Sequence, residues 1–206
     1  MLNNEGFDLW ANGYDKSVGI SDDANTYPFA GYKNVLNTIY NAVLAQGKGS
    51  VLDIGFGTGT LTQKLYEQGC KITGVDFSQE MIRIAGEKMP DALLIRADFS
   101  QGLPAGITSS NFDFILATYS LHHIPDGEKA PYIESLIERL RPNGSILVGD
   151  VVFESRALLN SCKDTYSDRW DDDEFYFVYN ELKDHFKDRI TFQKNSFCAG
   201  ILTITR

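Results

Sequence analysis

The sequence contains little cysteine, and its three cysteines stand far apart. Cys70, Cys162 and Cys198 have neither the spacing of a zinc site nor that of a disulfide framework, so we expect reduced, buried thiols. No cluster of lysine and arginine occurs either, and the formal net charge is −9. Because binding of phosphates requires a basic surface, we expect no nucleic acid and no anionic membrane as a partner.

Long apolar runs are absent as well. No run approaches the about 20 residues that span a membrane, and the N-terminal residues lack the basic and apolar parts of a secretion signal. These absences predict a cytoplasmic protein. The sequence does contain a hydrophobic fraction of 43% over 206 residues, which is enough for one sizeable core. We therefore expect residues 1–206 to form a single domain.

Glycines are concentrated between a predicted strand and a predicted helix. The stretch of residues 50–60 reads S-V-L-D-I-G-F-G-T-G-T. Its apolar residues Val51, Leu52 and Ile54 predict a strand that is buried on both faces. The glycines Gly55, Gly57 and Gly59 follow at once. A strand, a glycine turn and a helix form the nucleotide site at the first switch point of a doubly wound α/β fold.

The spacing of this turn argues against a dinucleotide. Thr60 stands where the dinucleotide fingerprint has its sixth-position glycine. Asp53, just before the turn, would repel a pyrophosphate but would attract an ammonium group. Asp76 ends a second predicted strand, where a carboxylate can accept both hydroxyls of a ribose. The pattern favours a ligand made of adenosine and a cationic tail, and an NAD-dependent oxidoreductase stays the alternative.

Four motifs in this order resemble those of the class I S-adenosylmethionine-dependent methyltransferases that act on small molecules. They are V-L-D-I-G-F-G-T-G at 51–59, G-V-D-F-S at 74–78, A-D-F at 97–99 and L-R-P-N-G at 140–144. The resemblance implies a Rossmann-like α/β fold with a seven-stranded, mostly parallel sheet in the order 3-2-1-4-5-7-6, whose strand 7 is antiparallel. It also implies in-line methyl transfer from S-adenosylmethionine to a small molecule. A non-catalytic S-adenosylmethionine-binding partner protein is a further alternative.

The resemblance also implies which residues contact the cofactor. Asp98 would accept a hydrogen bond from the adenine amino group, and the Phe99 amide would donate one to the ring. Met81, one turn into a helix that Ser78 can cap, would either touch the adenine or belong to the core. The complete predicted cofactor set is Tyr14, Asp53, Gly55, Gly57, Gly59, Asp76, Phe77, Met81, Asp98, Phe99 and Thr118.

Two adjacent histidines follow the fourth predicted strand, within T-Y-S-L-H-H-I-P at 118–125. Ligands of open α/β sheets lie at the carboxyl ends of the strands, so this stretch should border the transferred methyl group. His122 or His123 could be a general base, or could fix the loop by hydrogen bonding. Neighbouring histidines cannot share one helical face, and these two have no third ligand nearby, so we expect no metal site.

The N-terminal residues 1–28 are polar with interspersed aromatics. Phe7, Trp10 and Tyr14 can lie on one helical face. The segment resembles the lid that small-molecule methyltransferases fold over their cofactor, and a cover over the edge of the core is the other interpretation. An amphipathic helix follows over residues 29–44, in which we expect Tyr32 to be a core residue.

The C-terminal part is less regular. Asp150, in a strand predicted over residues 146–153, is either a site residue or a salt-bridge partner, with Asp126 a possible cap of the preceding helix. Residues 154–188 are a possible substrate-side helical region. Their acidic run at 171–174 predicts a solvated helix start, or alternatively a wall that selects a cationic or polyhydroxylated substrate. Residues 190–194 and 197–205 predict an antiparallel terminal hairpin.

Overall fold

A computed structural model of the protein describes residues 25–206, and its centre is one sheet of eight strands. The strands are β1 (Ser50–Ile54), β2 (Lys71–Asp76), β3 (Leu93–Arg96), β4 (Phe112–Thr118), β5 (Leu140–Phe153), β6 (Phe177–Val178), β7 (Ile190–Lys194) and β8 (Ala199–Thr205). The helices are α1 (Tyr32–Gln46), α2 (Thr60–Glu67), α3 (Gln79–Lys88), α4 (Asp126–Ile137), α5 (Arg156–Thr165) and α6 (Tyr179–Phe186). Short 3₁₀ turns span Phe99–Gln101, Leu121–His123 and Lys187–Arg189.

The strand order confirms the predicted topology. The sheet runs β3-β2-β1-β4-β5-β8-β7, in which β8 is antiparallel to both β5 and β7. The order reverses between β1 and β4, which are parallel neighbours. The two-residue β6 was not predicted, and it pairs with Val152 and Phe153 at the end of β5.

Helices cover both faces of the sheet. On β4, Phe114 and Leu116 belong to the hydrophobic cluster beneath α1, α2 and α5, whereas Ile115 and Ala117 belong to the cluster beneath α4 and α6. Successive side chains of a strand point to opposite faces, so a strand covered on both sides reads as one continuous apolar run. This is why the strands were visible in the sequence as short apolar runs.

Several predicted boundaries are corrected by the structure. β5 begins at Leu140 rather than at residue 146, because residues 141–144 bulge out between the Phe112–Leu140 and Phe114–Ser145 pairs. The helix of the fourth crossover begins at Asp126, but Asp126 does not cap it. Its carboxylate instead contacts Lys129 and Arg156 at 2.7 and 3.0 Å.

The prediction of a helix start at residues 171–174 is wrong. These residues form a turn, and α6 begins only at Tyr179. The Phe175 N–H donates to the carbonyl oxygen of His122 at 2.7 Å. That bond holds the chain extended beside the turn after β4, so the acidic run cannot enter a helix there.

The lid prediction lies outside the described residues, because Phe7, Trp10 and Tyr14 fall within residues 1–24. Tyr27, at the end of the predicted lid, is a core residue with 2% exposure. Its ring stacks on Trp170 at a centroid distance of 5.1 Å. Across residues 25–206, no helix has both the length and the apolar character needed to cross a membrane.

Candidate active site at the switch point of the sheet

A cleft lies at the carboxyl ends of β1, β2 and β4, where the strand order reverses. It encloses about 660 Å³, part of which is open to solvent. Of the predicted site residues, those that line it are Gly55, Gly57, Asp76, Phe77, Met81, Phe99, Thr118 and His123.

The glycine turn forms the floor of the cleft. Gly55 has a φ of 69°, and a Cβ atom there would lie 2.4 Å from Cβ of Ser120. Gly57 has a φ of 57°, but a Cβ atom there would meet nothing within 4 Å. Gly55 is therefore required by packing beneath the turn, whereas a side chain at Gly57 would project into open space at the edge of the cleft.

Asp76 joins the end of β2 to the glycine turn. Its Oδ2 accepts from the Gly57 N–H and its Oδ1 from the Ser78 N–H, both at 2.9 Å. The side chain is buried and lines the cleft. A carboxylate has about four acceptor positions, so these two backbone bonds do not by themselves prevent it from accepting hydroxyl groups of a ligand.

One wall of the cleft is apolar. The rings of Phe77 and Phe99 lie 6.3 Å apart, and Met81 is buried in the first turn of α3. Ser78 caps this helix by accepting from the Met81 N–H at 3.2 Å, as the sequence predicted. Such a wall can take the flat face of an aromatic ring.

Two tyrosines that the sequence did not assign to the site also line the cleft. Tyr119 follows β4 directly, with a φ of 51° that is uncommon for a bulky residue and is found at sites held by their surroundings. Tyr32, predicted as a core residue, lines the cleft with its ring 5.1 Å from that of Tyr119. The rule that ligands lie beyond the strand ends could have identified Tyr119, but no local signal identified Tyr32.

Three other predicted cofactor residues do not line the cleft. Asp53 is 1% exposed beneath the turn, where its carboxylate accepts from the Thr62 hydroxyl. Burial raises the pKa of Asp53 to about 7. Gly59 faces α3, with Met89 Cε 3.1 Å from the position of a Cβ atom. Asp98 is exposed and begins the following 3₁₀ turn by accepting from the Ser100 N–H at 3.0 Å.

His122 lies behind the cleft rather than on its surface. Its Nδ1 is 2.7 Å from Oδ1 of the fully buried Asp150, which makes Asp150 a salt-bridge partner. Its Nε2 lies 3.5 Å from Oε1 of Glu174. Burial alone would lower the pKa of His122, but the two carboxylates together raise it above its usual value.

His123 differs from its neighbour because it faces the cleft. The two rings lie 4.4 Å apart. Burial, and then the proximity of His122, lowers the pKa of His123 to about 4. Its imidazole is therefore neutral near pH 7, where a base with so low a pKa accepts protons weakly.

The argument that these histidines have no third ligand nearby is wrong. Among the described residues, one ligand atom each from His122, His123 and Glu174 lies within 4.8 Å of the others. Glu174 is 52 positions beyond His122 in sequence, so only the folded chain brings it there. Glu174 also lines a second cavity, between α5 and the segment that precedes β6.

Comparison with known proteins identifies the family. A family profile described as a methyltransferase domain matches residues 51–144. An uncharacterized methyltransferase of Alkaliphilus oremlandii is 35% identical over 190 residues, which cover 89% of this chain and 86% of the relative. One from Geobacillus sp. strain WCH70 is 35% identical over 204 residues, which cover 93% and 92%. The chain therefore belongs to the methyltransferase family, as its motifs predicted.

Solved structures share the fold. The chain matches the complex of DhpI with SAH at a TM-score of 0.69 and 20% identity, over 97% of this chain and 93% of that one. It matches magnesium protoporphyrin IX methyltransferase from Synechocystis, with bound SAH, at a TM-score of 0.68 and 18% identity, over 97% of each chain. These likenesses confirm the class I architecture.

Proposed function

We propose that the protein transfers the methyl group of S-adenosylmethionine to a small-molecule acceptor. The observation that carries this proposal is the position of Asp76, which lines the cleft between the glycine turn and the apolar wall. A carboxylate at the end of the second strand is suited to the hydroxyls of a ribose. Membership of the methyltransferase family and fold neighbours solved with SAH support the same cofactor.

The cleft can hold the parts of this cofactor in order. The adenine would lie against Phe77, Met81 and Phe99, and the ribose on Asp76. The methionine part would cross the turn at Gly57, and the methyl group would point toward His123. The acceptor atom attacks the methyl carbon, the carbon–sulfur bond breaks, and its electron pair stays on sulfur. Because the sulfonium is already a good leaving group, the protein mainly aligns the reactants and excludes water.

A small acceptor is suggested by the surroundings of the cleft. The net charge of −9 does not favour a polyanionic macromolecule. The second cavity, lined in part by Arg156, Lys163 and Trp170, presents both charged and aromatic groups to a ligand. It lies within residues 154–188, the region for which the sequence suggested a substrate-side role.

Release of SAH from S-adenosylmethionine in the presence of a metabolite pool tests this function. We expect release above the background seen without the pool, and fractionation of the pool then isolates the acceptor. Binding of SAH without turnover by any fraction would favour the non-catalytic partner protein. Quenching or enhancement of nicotinamide fluorescence on titration with NADH would favour the oxidoreductase.

A further inference from the structure

His122, His123 and Glu174 form a compact group, which we call the His–His–Glu cluster. Their ligand atoms lie within 4.8 Å of one another. A backbone hydrogen bond holds the segment of Glu174 next to the histidines, because the Phe175 N–H donates to the His122 carbonyl oxygen at 2.7 Å. The hydroxyl of Tyr176 donates to Oε2 of Glu174, and the other carboxylate oxygen, Oε1, faces His122. Both segments of the cluster are thus held in place.

Asp150 orients the imidazole of His122. Its Oδ1 lies 2.7 Å from Nδ1, and the carboxylate is fully buried. Consequently Nε2 is the ring nitrogen of His122 that faces the rest of the cluster. In metal sites, a ligating histidine commonly donates its second N–H to a carboxylate, which fixes the tautomer and makes the ligand more basic.

Two carboxylates flank His122 of the cluster. Asp150 and Glu174 both face the single imidazole of His122. Within residues 25–206, Oδ2 of Asp150 has no hydrogen-bond partner. The nearby Lys129 ammonium contacts Asp126 at 2.7 Å and backbone carbonyl groups. Buried carboxylates without full compensation are costly, and a bound cation would remove much of that cost.

We propose that His122, His123 and Glu174 bind a divalent transition-metal ion, with Asp150 as the positioning residue of His122. Two imidazoles and one carboxylate suit zinc or ferrous iron, whereas magnesium and calcium prefer oxygen ligands alone. Bonds of about 2.0–2.2 Å would require the three ligand atoms to move closer together. Side-chain rotation within the existing backbone is the change that binding would require.

Three protein ligands leave a coordination position open for another molecule. His123 lines the cofactor cleft and Glu174 lines the second cavity, so the cluster lies between the two. An acceptor oxygen or sulfur bound to the metal would lose its proton to water and become the nucleophile that attacks the methyl carbon. This role rests on the proposed function, whereas metal binding itself does not.

Titration of the metal-free full chain with Co²⁺, followed by visible absorption, and with Zn²⁺, followed by calorimetry, tests the site. We expect one ion per chain and cobalt absorption bands of a site with nitrogen and oxygen ligands. His123→Gln and Glu174→Gln should each weaken binding at least about tenfold. Asp150→Asn should weaken it about 10–100-fold, as expected of a residue that orients a ligand. Circular dichroism establishes that each variant is folded.

His185→Gln is the matched control, because His185 is the remaining histidine of the sequence and lies on α6 beside Glu134. It should leave metal binding unchanged. The proposal would be overturned if neither ion bound, or if His123→Gln and Glu174→Gln bound the ion as tightly as the unsubstituted protein. Calorimetry with SAH on the same metal-free protein separates the metal site from the proposed function. Absence of SAH binding would count against the proposed function and would leave the metal-binding result unchanged.

Discussion

The histidine side of the site is assembled from residues that lie farther apart in sequence than those of the turn side. The turn side consists of Gly55, Gly57 and Asp76, and its bond between the Gly57 amide and Asp76 spans 19 positions. The histidine side consists of His122, Asp150 and Glu174, and its His122–Asp150 contact spans 28 positions. Glu174 comes from still farther along the chain. The turn side is built from backbone and strand ends, whereas the histidine side consists of the buried His122 and Asp150 and the half-buried Glu174, whose opposite charges stabilise one another.

This difference predicts how each side responds to substitution. On the turn side, changes at Gly57 and Asp76 should reduce binding of the cofactor and leave the core largely intact, because both residues line the cleft. Gly55 is the exception, because packing beneath the turn requires a glycine there. Changes on the histidine side should reduce stability and leave cofactor affinity largely intact, because they leave a buried charge unpaired.

Gly57→Val should have the largest effect on binding. The side chain would project into the open space at the edge of the cleft, where we propose that the methionine part of the cofactor crosses the turn, so we expect binding of SAH to fall below detection by calorimetry. Gly102→Val is the matched control, because Gly102 also has a positive φ, of 100°, and open space around its Cβ position. Both variants should show similar thermal destabilisation. Normal SAH binding by Gly57→Val would show that the turn does not hold the cofactor.

Asp150→Ala should have the largest effect on stability. Removal of one partner of a buried ion pair costs about 3–5 kcal/mol, so the midpoint of urea denaturation should fall markedly. SAH affinity of the folded protein should change little, since Asp150 does not line the cleft. A strong loss of SAH affinity in the folded variant would show that the histidine side also determines cofactor binding, which would contradict the difference between the two sides.

Asp76→Ala should weaken SAH binding at least about tenfold. A hydrogen bond to a charged acceptor contributes about 1.5–3 kcal/mol, and about 1.4 kcal/mol corresponds to a factor of ten. Asp98→Ala is the informative comparison, because Asp98 is exposed and bonds to Ser100 in its own turn. We expect a smaller loss from Asp98→Ala. An equal or greater loss would place the adenine contact at Asp98 after all.

Asp53→Asn should change the pH dependence of stability. The pKa of Asp53 is about 7 in the folded protein and lower in the unfolded chain, so the folded state holds the extra proton between about pH 4 and 7. The contribution of Asp53 to the free energy of unfolding is therefore present at low pH and is lost as pH rises toward 7. The loss from pH 5 to pH 7 is about 2 kcal/mol. Asp53→Asn should lack this loss, as urea denaturation at several pH values would show. An unchanged slope would contradict the assignment.

The same contrast explains what the sequence could predict. The strands and most of the turn side follow from apolar runs, glycines and strand-end carboxylates, which are local signals, whereas the strand order follows from the resemblance of the four motifs to a known family. The contact between Glu174 and His122 could not be predicted, because it depends on how residues 171–176 cross the turn after β4. The sequence links Asp53 to the cofactor through its charge just before the turn, and Asp98 through the resemblance, but the directions of their side chains depend on contacts with Thr62 and Ser100.

Calorimetric titration of the full chain with SAH and, separately, with NAD⁺ tests the central claim most directly. The account predicts one SAH site per chain, an affinity that falls at least about tenfold in Asp76→Ala, and no binding of NAD⁺. Binding of NAD⁺ with no binding of SAH would contradict it.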